Sequence, residues 1–238
     1  MVREHKLLLG GMSGRKVALA ILMLAIAAFL AVYMGMRATL EPSTEAENVP
    51  ANSTAVSIPP PADAHGVLVE TAVEAAEVLN ASGPVRLPTR IPEDLKYVKI
   101  LVLRNVGVYV FYSDEPLPDT DNPFVLIYMH WGCRFADVTG GEPKIVVMIL
   151  KLNPEAVANI ANMLSTEEKV EGYAKEYNLT VRYVDNIPVF GFDPRELSIW
   201  SQPIGVVHFY KGDVRYLIST HLSYEEMVEI ARSIIEQF

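Results

Sequence analysis

The longest apolar pattern in the chain runs from Val17 to Met36, which is 20 residues without a charge. At about 1.5 Å of rise per helical residue, this run spans roughly 30 Å, the thickness of a bilayer's hydrocarbon core. Arg15 and Lys16 precede the run, and Arg37 follows it. The pattern therefore predicts a single transmembrane helix over residues 17–36.

The charges that flank this run predict its orientation. Residues 1–16 carry Arg3, Lys6, Arg15 and Lys16, whereas the far side soon becomes acidic, with Glu41, Glu45 and Glu47. Positive flanks stay inside, so we expect a single-pass protein of the cell membrane with a cytoplasmic N-terminal segment at 1–16 and an external C-terminal domain. A cleaved signal peptide is the alternative, but its apolar core is usually about 7–15 residues long. The longer run favours an uncleaved signal-anchor.

Residues 37–65 show neither a helical nor a strand period and are rich in Pro, Ser, Thr and Glu. Such a composition is typical of a tether, stiffened here by three consecutive prolines at 59–61. The tether predicts a domain held away from the membrane.

Periodic patterns begin at Gly66 and predict one α+β domain over residues 66–238. An apolar stripe predicts a helix at 67–80. Strand-like runs follow at 97–103, 107–112, 124–131 and 144–152, then helices at 154–163 and 166–177, shorter strands at 179–184, 187–192, 196–200, 205–210 and 213–219, and a last helix at 224–236. Because most strands follow one another without a crossover helix, we expect a largely antiparallel sheet packed with helices.

The run "FVLIYMHW" at 124–131 is apolar on both faces when it is interpreted as a strand. Either helices cover both sides of the sheet there, or one side lines an apolar groove. We expect the first arrangement, with the helix at 67–80 or the helices at 154–177 as the cover, since a large open apolar face is uncommon.

The C-terminal pattern predicts a hairpin and a capped helix. Lys211-Gly212 is the expected turn, which places Val207, Phe209, Val214, Tyr216 and Ile218 on one face and His208 with Arg215 on the other. Ser223 and Glu226 have the spacing of a capping box, and Leu222 and Met227 that of a hydrophobic staple. The expected buried stripe of the helix is Met227, Ile230, Ala231, Ile234 and Phe238.

Several of these segments together resemble the domain-of-unknown-function 4367 family. They are "LPTRIPEDLKYVKI", "VYVFYSD", "FVLIYMHW", "LSIW" and "LSYEEMVEIARSI", and the resemblance covers about residues 70–238. It implies an extracytoplasmic domain tethered to one membrane helix, similar in places to the outer portions of anti-sigma factors. The family offers no catalytic residues to carry over.

Charge and cysteine content narrow the classes of function. The chain of 238 residues has a net charge of −9, and residues 38–238 carry 15 basic against 28 acidic side chains, a balance of −13. Such a surface repels nucleic acid. Cys133 is the only cysteine, so the domain has no internal disulfide.

Candidate chemistry is sparse. His130 lies three residues from Cys133, and an imidazole can activate a thiol, but no third group is identifiable and a packed cysteine is the favoured interpretation. The five histidines lack the spacing of a metal site, and no motif indicates a cofactor, so we expect no catalytic, metal or cofactor residues. Sequons at Asn52, Asn80 and Asn178 are candidate N-glycosylation sites.

Three functions fit these patterns. The first is a membrane-anchored binding or sensory module that acts through protein contacts; its inner segment of 16 residues is too short for a folded domain, so any signal passes through another membrane protein. The second is a lipid or lipoprotein carrier that uses an apolar sheet face. The third is a hydrolase whose site has no recognisable motif.

Overall fold

The structure is a computed structural model, and it describes residues 64–81, 83–195 and 202–238. The predicted transmembrane helix, the predicted tether up to residue 63 and the predicted strand at 196–200 lie outside the described residues. Within the described part, no helix combines the length and the apolar character that crossing a bilayer requires.

Eight strands form one antiparallel sheet in the order β1-β2-β3-β4-β8-β7-β6-β5. They are β1 (Val67–Val69), β2 (Tyr97–Leu103), β3 (Gly107–Ser113), β4 (Ile145–Lys151), β5 (Thr180–Val184), β6 (Ile187–Arg195), β7 (Ile204–Lys211) and β8 (Val214–Thr220). Two four-stranded meanders meet where β4 pairs with β8. The predicted α+β class and the antiparallel sheet are confirmed.

The described part contains five helices, and four of them pack on the two faces of this sheet, whereas the helix at Pro154–Met163 has no buried residue. The five helices are α1 (Ala72–Leu79), α2 (Pro123–His130), α3 (Pro154–Met163), α4 (Glu167–Glu176) and α5 (Tyr224–Ile235). The first face carries α1 and α5 over the largest apolar cluster, which contains the predicted hairpin set from Val207 to Ile218. The second face carries α2 and α4 over two smaller clusters.

The last helix follows its sequence pattern closely. The Ser223 hydroxyl and the Glu226 side chain form the predicted capping box, which satisfies amide groups in the first turn. Met227, Ile230, Ala231 and Ile234 are buried against the sheet. Phe238 lies beyond the helix and is 44% exposed, so the predicted stripe is confirmed except at its final residue.

The predicted strand at 124–131 is wrong, because "FVLIYMHW" forms α2. The Asn122 side chain accepts a hydrogen bond from the backbone amide of Phe124, and Pro123 occupies the first turn, where its missing N–H costs nothing. The expected cover is correct for one helix. The helix α4, from the predicted 154–177 segment, lies on the second face together with α2, whereas α1 lies on the first face.

Two local features differ from their predictions in kind, while several other element ends shift by one to three residues. The predicted helix at 67–80 divides into β1 and α1, because the Thr71 hydroxyl caps the helix by accepting from the amide of Glu74 at 3.2 Å. The β7–β8 turn is Gly212-Asp213 rather than Lys211-Gly212, since Lys211 pairs with Val214. Gly212 has φ +62°, which a tight hairpin of this kind needs. This shift of the turn by one residue leaves each side chain of the hairpin on its predicted face. His208 and Arg215 therefore share the second face of the sheet, as predicted.

Candidate functional site

His130 lies at the end of α2, fully buried between a loop and β8. Its Nδ1 is 2.8 Å from the Pro143 carbonyl oxygen, and its Nε2 is 3.0 Å from the Ser219 hydroxyl. A carbonyl only accepts, so Nδ1 donates and Nε2 accepts the proton of Ser219. Both ring nitrogens are therefore engaged.

This pair has the connectivity of a serine–histidine dyad but not its chemistry. Burial lowers the pKa of His130 to about 3, so the ring is a very weak base. Ser219 is 2% exposed, which leaves a substrate no access to its hydroxyl. The Gln202 amide adds a hydrogen bond to the His130 carbonyl at 2.7 Å and another to Glu142 at 2.5 Å. The arrangement anchors the end of α2 to the neighbouring loop and to β8.

Cys133 lies outside this network. Its thiol is half-buried, and burial raises the pKa of Cys133, which keeps the thiol protonated at neutral pH. The His130 ring is committed to Pro143 and Ser219, so the structure does not bring the two residues together as base and nucleophile. Among the described residues, no group of three His, Cys, Asp or Glu side chains could hold a metal ion.

The candidate glycosylation sites have a structural explanation of their own. Asn80 and Asn178 follow α1 and α4 with left-handed φ values of 55° and 52°. Asparagine tolerates this conformation better than most residues and commonly ends helices. Both side chains are exposed, so both remain candidate acceptors, while Asn52 lies outside the described residues.

Exposed apolar side chains concentrate at the β1 end of the sheet. Five of the eight large apolar residues that are exposed in the described part lie there, namely Val67, Leu68, Val73, Tyr97 and Val98, and we call them the apolar edge. Leu68 and Val73 are 62% and 69% exposed. β1 pairs only with Ile100–Val102, so the outer side of β2 at 97–99 has no strand neighbour among the described residues.

The opposite edge, β5, carries the protection that edge strands usually have. Arg182 forms an ion pair with Glu225 of α5. Glu167 and Glu171 lie close enough to Tyr183 that they add to the effect of burial and raise the pKa of its hydroxyl. Charges of this kind oppose pairing with another chain. The apolar edge has no charged side chain within β1 and one, Lys99, in the open part of β2, where its Nζ donates to the Pro118 carbonyl at 2.7 Å. The two ends of the sheet therefore differ in their capacity to bind a partner.

Two hollows of about 370 Å³ each open on the described surface. Charged side chains dominate one of them, with Asp114, Glu115, Arg134, Glu142 and Lys144 in its lining. The other lies at the start of α4 and combines Leu164, Val170 and Pro188 with polar residues. Neither is a predominantly apolar cavity.

No family model, curated protein or solved structure matches this chain. The surface of the described residues is therefore the main support for a function. The sequence patterns missed the apolar edge, although "VLV" before Glu70 carries a signal, since three consecutive apolar residues cannot all face one core from a strand.

Proposed function

We propose that this chain is a membrane-anchored, extracytoplasmic binding or sensory module that acts through protein contacts. The observation that carries the proposal is the contrast between the apolar edge and the charged β5 edge. An exposed strand edge flanked by apolar side chains is a template for a partner's strand, in which backbone hydrogen bonds give affinity and side-chain contacts give specificity.

The expected anchor supports the same proposal. The chain enters the sheet beside the apolar edge, where the Gly66 amide donates to the Asp121 carbonyl at 2.7 Å. In the proposed orientation, residues 17–36 span the cell membrane and the tether delivers the domain to the outside. The resemblance to the domain-of-unknown-function 4367 family fits this arrangement, and we propose it as the family relation.

The two alternatives have less support. The carrier hypothesis began from an open sheet face at 124–131, and that segment is a helix lying on the sheet. The hydrolase hypothesis needs an activated nucleophile, whereas the half-buried Cys133 thiol has a raised pKa and Ser219 is buried.

The proposal predicts that one glutamate at the apolar edge removes a protein contact. Val98→Glu in the full-length chain places a charge beside the open part of β2, so a cross-linked product formed in native membranes should fall about tenfold, as desolvating an unpaired charge predicts. The product is detected by its mass shift and identified by mass spectrometry. It includes a second copy of this chain if the edge pairs with itself.

Tyr183→Glu is the matched control, because it adds the same charge at the β5 edge on a side chain that is 46% exposed. This variant should leave the cross-linked product unchanged. Equal loss in both variants, or loss in neither, would contradict a contact through the apolar edge.

A further inference from the structure

His208 is enclosed on the second face of the sheet, beneath α4. Its side chain is 5% exposed and lies opposite Phe190 in the pairing of β6 with β7. The Phe190 ring stacks on it with centroids 5.4 Å apart, and the Tyr210 and Tyr173 rings approach it edge-on at 5.5 Å and 6.4 Å. Phe190 and Tyr210 belong to the sheet, whereas Tyr173 belongs to α4. The helix therefore forms one wall of the enclosure.

The enclosure contains nothing that would stabilise a charged imidazole. The Nε2 atom of His208 is buried without a hydrogen-bond partner. The titratable side chains that the described structure places beside the ring are Tyr173 from α4, Tyr210 from β7 and Arg215 from β8, and none of them is a carboxylate. Burial and, second, the charge of Arg215 hold the pKa of His208 well below its usual range. The closed packing therefore disfavours a protonated ring.

The helix that closes the enclosure is held by few buried side chains. Val170 and Ala174 are buried among the ten residues of α4, whereas eight of the twelve residues of α5 are buried. The Lys169 ammonium donates to the Asn162 side chain at 2.7 Å and to the Ser165 hydroxyl at 3.0 Å, so these hydrogen bonds join α4 to the preceding segment and not to the sheet. An element with few buried apolar contacts opens locally at a lower free energy than the whole domain.

The topology allows α4 to leave the sheet without breaking it. Both α3 and α4 lie in the connection between β4 and β5, and none of the described strand pairs includes a residue of this connection. A hollow of about 370 Å³ separates the start of α4 from the β5–β6 hairpin, with Val170 on one side and Tyr183 and Pro188 on the other. The helix is therefore not sealed against the hairpin at its N-terminal end.

We infer that α4 is an acid-released lid, in which protonation of His208 displaces the helix and uncovers the apolar surface of Phe190 and Val181. Once water reaches the ring, His208 takes up a proton with its ordinary midpoint near pH 6.5. Because the open form then binds a proton that the closed form does not, the open population rises as the pH falls, by about 25-fold between pH 7 and pH 5. This device goes beyond the proposed protein contact, since it acts on a sheet face and not at the apolar edge.

Hydrogen exchange of the full-length chain in detergent micelles tests the inference. Mass spectrometry follows peptides from α4 and α5 between pH 5 and pH 7, above the range in which most carboxylic side chains titrate. After correction for the intrinsic exchange rate at each pH, α4 should exchange faster than α5 throughout. Its protection should fall about 25-fold from pH 7 to pH 5.

His208→Phe keeps a ring against Phe190 but binds no proton, so the protection of α4 should be the same at both pH values. His208→Gln carries the same expectation and replaces it if His208→Phe melts below the parent. His65→Gln is the matched control, because it removes a histidine that is 67% exposed, and it should retain the full 25-fold fall.

Three results would overturn the inference. They are equal protection of α4 and α5 at every pH, which would mean that only the whole domain opens, protection of α4 that does not change with pH, and a fall that persists in His208→Phe or His208→Gln. Val98→Glu should leave the exchange of α4 unchanged, because Val98 lies at the other end of the sheet. Failure of the lid and failure of the contact through the apolar edge are therefore measured separately.

Discussion

His130 and His208 show how the same residue type meets different surroundings on one sheet face. His130 uses both ring nitrogens in hydrogen bonds, whereas His208 is held by aromatic rings with Nε2 unpartnered. Burial is the first cause of a lowered pKa at both residues. In both residues, the folded state disfavours the protonated, charged form of the imidazole ring.

That property predicts a loss of stability in acid. The folded pKa lies below the unfolded value of about 6.5, so the unfolded state binds more protons below pH 6.5 and the free energy of unfolding falls with falling pH. The contribution is complete above pH 6.5 and is lost towards pH 3 for His130. Each such histidine contributes at most about 1.4 kcal/mol per pH unit to the slope of the free energy of unfolding against pH.

Urea unfolding of the full-length chain between pH 5 and pH 7 measures this slope. His208→Phe keeps an aromatic ring against Phe190 and should make the slope shallower. His65→Gln is the control, since the His65 side chain is 67% exposed. If His208→Phe has the same slope of unfolding free energy against pH as the parent, then folding does not disfavour protonation of His208.

At the scale of elements, the residues before each helix were more informative than the apolar pattern. Asn153-Pro154 begins α3, and Asn122-Pro123 begins α2 with the same start signal. The continuous apolar run after it concealed this signal, because a short buried helix and a buried strand have the same hydrophobic pattern. One part of the cover of the second face was therefore predicted as a strand, whereas the other part, α4, was predicted as a helix.

The capping box of α5 gives a prediction at this scale. Ser223→Ala removes the acceptor for the amide of Glu226 and should lower the free energy of unfolding by about 1 kcal/mol. Ser223→Asp keeps an acceptor at the same position and should remain near the parent value. Thermal or urea unfolding gives both numbers, and equal stability of Ser223→Ala and the parent would mean that the cap contributes nothing.

For the whole molecule, sequence patterns predicted neighbouring strands better than the joining of the two meanders. β7 and β8 are linked by a two-residue turn, so their pairing follows from local chemistry. β4 and β8 are separated by two helices and three strands, and their pairing depends on burial of Val147 and Ile149 beside Ile218 and Tyr216. The apolar edge lies at the far end of the first meander and does not depend on this pairing, so the run "VLV" could signal it in the sequence.

The membrane topology provides the last prediction, and it concerns the chain as a unit. Protease added outside intact cells should cut within residues 37–65, because that segment lacks any period that would predict a folded core. It should release a fragment near residues 66–238, which contains the eight-stranded sheet and the apolar clusters on both its faces. The released fragment should unfold cooperatively on heating, since its core is formed within these residues. Cells opened before digestion are the control, because they should yield the same fragment and also lose residues 1–16. Protection of the fragment in intact cells would contradict the external orientation, and a released fragment without a cooperative transition would show that the domain depends on its anchor.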